Sequence, residues 1–119
     1  MAAYRFYPNA DRQQDEIWDY TVEQWGEIQA EKYINELHSH LNQLADNILL
    51  WQALPTKLLV PHDIPLSVYF SRYNKHIIFF RELSDRMIGI IAILHETMDL
   101  PVRLSEDLRK INDDIQESE

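Results

Sequence analysis

Three β-branched and aromatic runs follow one another in the second half of this chain: Ser67 to Tyr73, Ile77 to Glu82 and Met87 to His95. Only Asn74-Lys75 and Ser84-Asp85 punctuate them. Parallel neighbours need a long crossover, so connections this short predict an antiparallel meander. The third run is the most apolar and ends in Ile93-Leu94-His95-Glu96-Thr97-Met98-Asp99. A buried strand that ends in a polar cluster is where a small α/β protein exposes functional groups.

The first half has a different period. Tyr4-Arg5-Phe6-Tyr7, stopped by Pro8, predicts a first strand. Asn9 is then a candidate helix N-cap, and Arg12, Gln13, Ile17, Trp18, Thr21 and Trp25 recur at helical spacing. Gly26, one of only two glycines, falls where that helix should end. A second helix follows at once, with Ala30, Tyr33, Ile34, Leu37, Leu41, Leu44 and Ile48 forming one apolar stripe and Glu27, Glu31, Glu36 and Asn42 lying away from it. Two helices joined so tightly make an antiparallel hairpin.

Between hairpin and meander, Trp51, Leu54, Leu58, Leu59 and Val60 are apolar, but Pro55, Pro61 and Pro65 forbid a continuous helix or central strand. An ordered connecting loop is expected over 51–65. Ser105 is positioned to cap a last helix carrying Leu108, Ile111 and Ile115, whose six acids and lack of aromatics predict fraying. The order is β-α-α-β-β-β(-α): an α+β domain over 1–104, in which a small antiparallel sheet packs against a two-helix hairpin, with an acidic C-terminal helix or tail over 105–119.

A chain of 119 residues, 45% hydrophobic, buries one modest core. Cysteine is absent, which removes thiolate chemistry and sulfur-based zinc sites and suits a reducing cytoplasm, the expected location. No basic start leads into a signal core, and no apolar run approaches the roughly 20 residues that span a bilayer, so no membrane role is expected.

The net charge of −9 argues against direct, specific nucleic-acid binding, which needs concentrated Lys and Arg. The charge is uneven. Residues 1–50 carry three basic and nine acidic side chains, residues 51–103 six and five, and residues 104–119 two and six. Only the middle segment, with Arg72, Lys75, Arg81, Arg86 and Arg103, is open to an anion.

Three segments, in order, resemble the ParE branch of the RelE/ParE superfamily, the toxins of type II toxin–antitoxin pairs. The first is Ile17-Trp18-Asp19-Tyr20-Thr21, continued by Trp25-Gly26-Glu27-Ile28-Gln29-Ala30-Glu31-Lys32-Tyr33 and by Leu37, Leu41, Leu44 and Ala45. The second is Ile77-Ile78-Phe79-Phe80-Arg81, similar to the family's apolar strand ending in Tyr-Arg or Phe-Arg. The third is Ile93 to Asp99, which looks like the family's closing strand and His-x-x-Met-Asp ending. Gln13-Gln14 stands where the family often has Asp-Leu, and the acidic stretch after Leu104 has no clear family counterpart.

The resemblance implies a toxin that inhibits growth by binding DNA gyrase, held in check by a cognate antitoxin, with no cofactor and no catalytic residue. The residues it singles out for target binding are His95, Met98, Asp99, Arg103 and Leu104. For an antitoxin that wraps the toxin, Trp25, Tyr33 and Trp51 are the candidate apolar anchors, although core packing is the ordinary role of such aromatics. The alternative is a RelE-like, ribosome-dependent messenger endoribonuclease in which Arg81 and His95 supply charge and a proton, with Arg86 and Glu96 in reserve. Its difficulty is repulsion of an acidic protein from ribosomal RNA over a Debye length of about 8 Å. A third possibility is an inactive homologue that only binds its antitoxin.

No metal site is expected. His95-Glu96 lacks the second histidine of a zinc-protease motif, and His38 and His40, two apart on a helix, point about 200° from each other. His62 and Asp63 sit between prolines, where a solvated pair is the default. Two glycines exclude a glycine-rich phosphate loop.

Overall fold

The structure, a computed structural model, describes residues 3–55, 58, 60, 61, 63–84 and 87–118, with the side chains of 114–118 left aside. Leu59, His62, Asp85, Arg86 and the side chain of Ile115, all used above, lie outside the described residues. Strand β1 (Ala3–Phe6) leads into helices α1 (Pro8–Trp25) and α2 (Glu27–Asp46), and a 3-10 turn (Ile48–Leu50) precedes the short strand β2 (Gln52–Ala53). Strands β3 (Tyr69–Tyr73), β4 (His76–Glu82) and β5 (Met87–His95) form the meander, and α3 (Leu100–Ser118) closes the chain. The expected α+β architecture is present.

Each end of α1 differs from the simplest reading. Pro8 takes the first helical turn and Tyr7 is the N-cap, so Asn9 is not the cap: it is buried inside the helix, where its amide donates to the Asp107 carbonyl at 3.4 Å. Proline suits that first position because its missing N–H has no partner there anyway. At the other end, Gly26 adopts φ 93°, and its N–H reaches Val22 O at 2.9 Å while its carbonyl accepts from Ala30 N–H at 3.1 Å. One residue therefore ends α1 and begins α2, a backbone conformation that a Cβ disfavours.

The sheet runs β1-β5-β4-β3-β2. The three strands of the meander pair antiparallel as expected, but β1 joins the free edge of β5 in parallel, Ala3 opposite Met87 through Phe6 opposite Ile90. Within the expected loop, Gln52 and Ala53 form β2 and pair with Phe70 and Tyr69. Two residues before a proline are too few to show alternation, which is why the strand is invisible in the sequence.

Both faces of the central strands are covered. On one, Ile78, Phe80, Ile88, Ile90 and Ile93 meet Ala10, Ile17, Leu37, Leu41 and Leu44 of the helical hairpin. On the other, Ile77, Phe79, Ile91, Ala92 and Leu94 meet Leu58, Ile64 and Val68 of the connecting segment and Leu104, Leu108 and Ile111 of α3. Strands buried on both faces show continuous apolar runs instead of alternation, as β5 does. The parity of β5 also changes midway. Phe79 pairs with Ala92 but Phe80 with Ile90, so Ile91 is an extra residue, a β-bulge that moves the hairpin-facing positions from even to odd numbers.

Two expectations about the chain ends need correction. The last helix begins at Leu100, not Ser105, so residues 104 and 105 sit inside one helix, and its first half is packed onto the core instead of fraying. Helix α2 ends at Asp46, so Ile48 lies beyond its stripe and is exposed. The reason is Asn47, which leaves helical geometry at φ −135° and caps the following turn through its side chain, accepting from Leu49 N–H at 3.1 Å.

Candidate functional site

The closing strand brings its polar ending to one corner of the molecule. His95 lies opposite His76 in register, their rings 5.2 Å apart and edge to face. Beyond it the chain turns sharply: Met98 N–H donates to the His95 carbonyl at 3.0 Å, and Thr97 holds His95 Nδ1 through its backbone N–H at 3.2 Å and its hydroxyl at 2.7 Å. Glu96 N–H donates to Lys75 O at 2.8 Å, and the Glu96 carboxylate pairs with Arg72. The turn after β5 is thus tied to the Asn74-Lys75 turn between β3 and β4. Asp99 Oδ1 receives Val102 N–H at 3.5 Å at the start of α3, and Met98, Asp99 and Val102 are exposed there while Arg103 is half-buried.

Leu104 does not belong to that surface. It is 1% exposed and packs in the core with Leu108 and Ile111, one helical turn apart, so it anchors α3 and has no area to offer a partner.

Arg81 and His95 are not brought together. Arg81 pairs with Gly89 at one end of β4 and His76 with His95 at the other, a separation of roughly 16 Å at about 3.3 Å per residue. General acid–base chemistry needs groups within hydrogen-bond reach of one reacting centre. Arg81 is occupied differently: its Nη1 donates to Tyr7 Oη at 3.1 Å, a contact between β4 and the N-cap of α1 that sequence spacing could not reveal.

The three aromatic anchors separate into two kinds. Trp51 packs at a tilt against Tyr69 and edge to face against Phe80 and donates its indole N–H to Leu44 O at 2.6 Å, while Tyr33 meets Tyr73 edge to face and its hydroxyl is hydrogen-bonded to His76 Nδ1 at 2.7 Å. These two are structural members of the fold. Trp25 is 73% exposed at the hairpin tip, close in sequence to Ile28, which is 88% exposed, and to the exposed Tyr20. Ile28 had a signal in the sequence, since it falls off the stripe begun by Ala30 and Tyr33. A second exposed apolar group, Ile48, Leu49 and Leu50, lies beyond the opposite end of α2.

Histidines tie α2 to the sheet. His38 Nδ1 is 2.6 Å from Tyr4 Oη on β1, and His40 Nε2 is 2.9 Å from Ser71 Oγ on β3. Burial pushes the pKa of both down, and burial together with the nearby His95 pushes His76 down to about 4, so the neutral imidazole is the form that fits. Asp63, exposed in the connecting segment, also pairs with α3: Arg109 donates to its two oxygens at 2.9 and 3.4 Å. Among the described residues, no group of three His, Asp or Glu is arranged to hold a metal ion.

Comparison with known proteins gives this arrangement a family. Residues 4–100 match the family described as ParE toxin of type II toxin-antitoxin system, parDE. The chain belongs to the ParE toxin family. It is 31% identical over 97 residues to Toxin ParE1 of Mycobacterium tuberculosis, covering 82% of this chain and 92% of that toxin. It is also 28% identical over 109 residues to Toxin ParE of Escherichia coli, covering 92% and 99% respectively. In fold it is similar to a chain in the solved chromosomal ParDE TA system from P. aeruginosa, with a TM-score of 0.59 at 18% identity, covering 80% of this chain and 96% of that one. This ParE family member is accordingly the toxin half of a toxin–antitoxin system. Among the described residues, no helix is long and apolar enough to cross a membrane.

Proposed function

We propose that this toxin acts by binding DNA gyrase, through the edge formed by His95, Met98, Asp99 and Arg103, and that a cognate antitoxin silences it by covering exposed apolar positions of the helical hairpin, Trp25 first among them. One observation carries the choice of binding over bond-making: Arg81 and His95 stand at opposite ends of β4, so the pair that a nuclease would need does not share a substrate. The edge has the features of a recognition surface. Two exposed apolar side chains, Met98 and Val102, are flanked by opposite charges on Asp99 and Arg103, and the turn beneath them is held to the Asn74-Lys75 turn by Glu96, through its N–H to Lys75 O and its carboxylate to Arg72, and internally by the bonds of Thr97 and Met98 to His95.

Purified toxin incubated with gyrase and supercoiled plasmid is expected to yield gyrase-dependent linear DNA, and a Met98→Glu, Arg103→Glu double variant is expected to lose that activity while staying folded. Codon-linked cuts in messenger RNA on translating ribosomes would sink the gyrase reading. Unimpaired growth of cells making the folded protein would identify it as an inactive homologue.

A further inference from the structure

Arg81 carries a guanidinium that the fold orients and that no carboxylate neutralises among the described residues. It is half-buried and lines an open, mainly polar depression of about 470 Å³ together with Pro65, Ser67, Tyr69, Glu82 and Leu83. Among the described residues no carboxylate lies within ion-pair distance of it, although the chain as a whole is at −9. Its hydrogen bond to Tyr7 uses Nη1, which leaves the Nε–H and Nη2–H donors of the fork without a partner among the described residues.

The orientation is built in. Gly89 sits opposite Arg81 in the β4–β5 register, and a Cβ there would come within 2.8 Å of Tyr7 Cε2. The absence of that carbon lets the tyrosine ring lie against β5, and Tyr7, fixed at its backbone by the N–H to Ile90 O bond of 3.0 Å, holds Arg81 through its hydroxyl. Gly89, Tyr7 and Arg81 thus form a chain of contacts whose result is a positioned guanidinium at the rim of a groove.

We infer that this groove is a carboxylate-binding site, in which the free edge of the Arg81 fork receives a carboxylate from a partner polypeptide. A guanidinium matches the planar geometry of a carboxylate with two parallel N–H donors, and one cation balances one monoanion. A phosphate backbone fits less well, because it rewards several cations at once and the one other charged side chain lining this depression among the described residues is Glu82, an anion. Two sources share the chemistry, an acidic side chain and a chain-terminal carboxylate. The site lies at the opposite end of β4 from the proposed gyrase-binding edge and does not depend on that reading.

The test follows the Arg81 Nε–Hε resonance of the full ¹⁵N-labelled chain during titration with four probes: N-acetyl-glutamic acid α-amide, N-acetyl-leucine, N-acetyl-glutamine amide and inorganic phosphate. A saturable shift with the first or second probe, and none with the uncharged amide, supports the site and tells side-chain from terminal carboxylate. Arg81→Lys, which keeps the charge but not the fork, is expected to bind at least tenfold more weakly, read from the backbone amides of Glu82 and Leu83, which are followed in the wild type as well. Tyr7→Phe, which keeps the ring but frees the guanidinium, is expected to weaken binding about threefold with an unchanged amide spectrum elsewhere. The inference is overturned if phosphate binds as well as the carboxylates, if the uncharged amide produces the same shift, or if no probe moves the resonance.

Discussion

Gln13 donates from Nε2 to Asp107 Oδ2 at 2.9 Å, joining the second turn of α1 to the middle of α3 across 94 positions of sequence. The same side chain accepts the Ile93 N–H at 2.8 Å through Oε1. That amide lies on β5 past Ile90, where the pairing with β1 has ended, so Gln13 substitutes for a missing strand partner. The glutamine that stands where the family often has an aspartate is a buried three-way junction, 3% exposed. Gln13→Leu would strand both the Ile93 N–H and the Asp107 carboxylate, and a loss of about 2–3 kcal/mol is expected in urea unfolding. A change within about 0.5 kcal/mol would show that the junction is dispensable.

Asp107 has its pKa raised, first by burial, against lowering contributions from the Gln13 hydrogen bond and from Arg103, Lys110 and Arg12. A carboxyl with a folded pKa above its unfolded value favours the fold when protonated, and that contribution is lost as pH rises from the ordinary value near 3.8 through the folded pKa. Asp107→Asn keeps an oxygen for Gln13 and removes the charge. The variant's stability relative to wild type is therefore expected to rise with pH across that window and then level off; a difference that falls with rising pH would contradict it.

His76, His38 and His40 act in the opposite direction. Their folded pKa values lie below the unfolded one, His76 at about 4. Their contribution to stability is present above about 6.5 and is lost as pH falls from there towards 4. Proton NMR of the imidazole rings is expected to show His76 titrating near the foot of that window, and His76→Gln is expected to flatten the acid limb of the stability curve. A His76 midpoint near 6.5 would remove the basis of this prediction.

The two glycines fail differently when given a Cβ. At Gly26 nothing lies within 4 Å of the added carbon, but φ 93° is unfavourable for any L side chain, so Gly26→Ala is expected to cost about 1–3 kcal/mol through the backbone alone. At Gly89 the backbone is ordinary and the obstacle is the Tyr7 ring, so Gly89→Ala is expected to cost about 1–3 kcal/mol by overpacking and to break the Tyr7–Arg81 contact. Chemical denaturation gives both magnitudes, and only Gly89→Ala should move the Arg81 side-chain resonance.

Trp25 and Trp51 are expected to separate binding from stability. Trp25→Ala should leave the unfolding midpoint within about 0.5 kcal/mol of wild type while weakening capture by the cognate antitoxin. Trp51→Ala removes a ring packed on Tyr69 and Phe80 and should cost about 2–3 kcal/mol. Equal effects of the two substitutions on stability would count against the division of roles.

Local signals in the chain were sufficient for the α1–α2 hairpin, its break at Gly26, and the meander with its turn at Asn74-Lys75, because helical period, glycine freedom and two-residue connections act over a few neighbouring positions. The family, too, was legible from three short segments. Long-range pairing was not. The parallel seat of β1, the bulge at Ile91, the strand at Gln52–Ala53, the use of α3 to cover the second face of the sheet, and the Gln13–Asp107 and Tyr7–Arg81 contacts all join residues far apart in sequence, and such choices depend on which buried polar group needs a partner once the core has formed. Tertiary structure also redistributed the candidate site. It turned Leu104, Tyr33 and Trp51 inward, left Trp25 and Met98 outside, and set Arg81 and His95 at opposite ends of one strand, since burial is decided by what packs above a residue and not by its type.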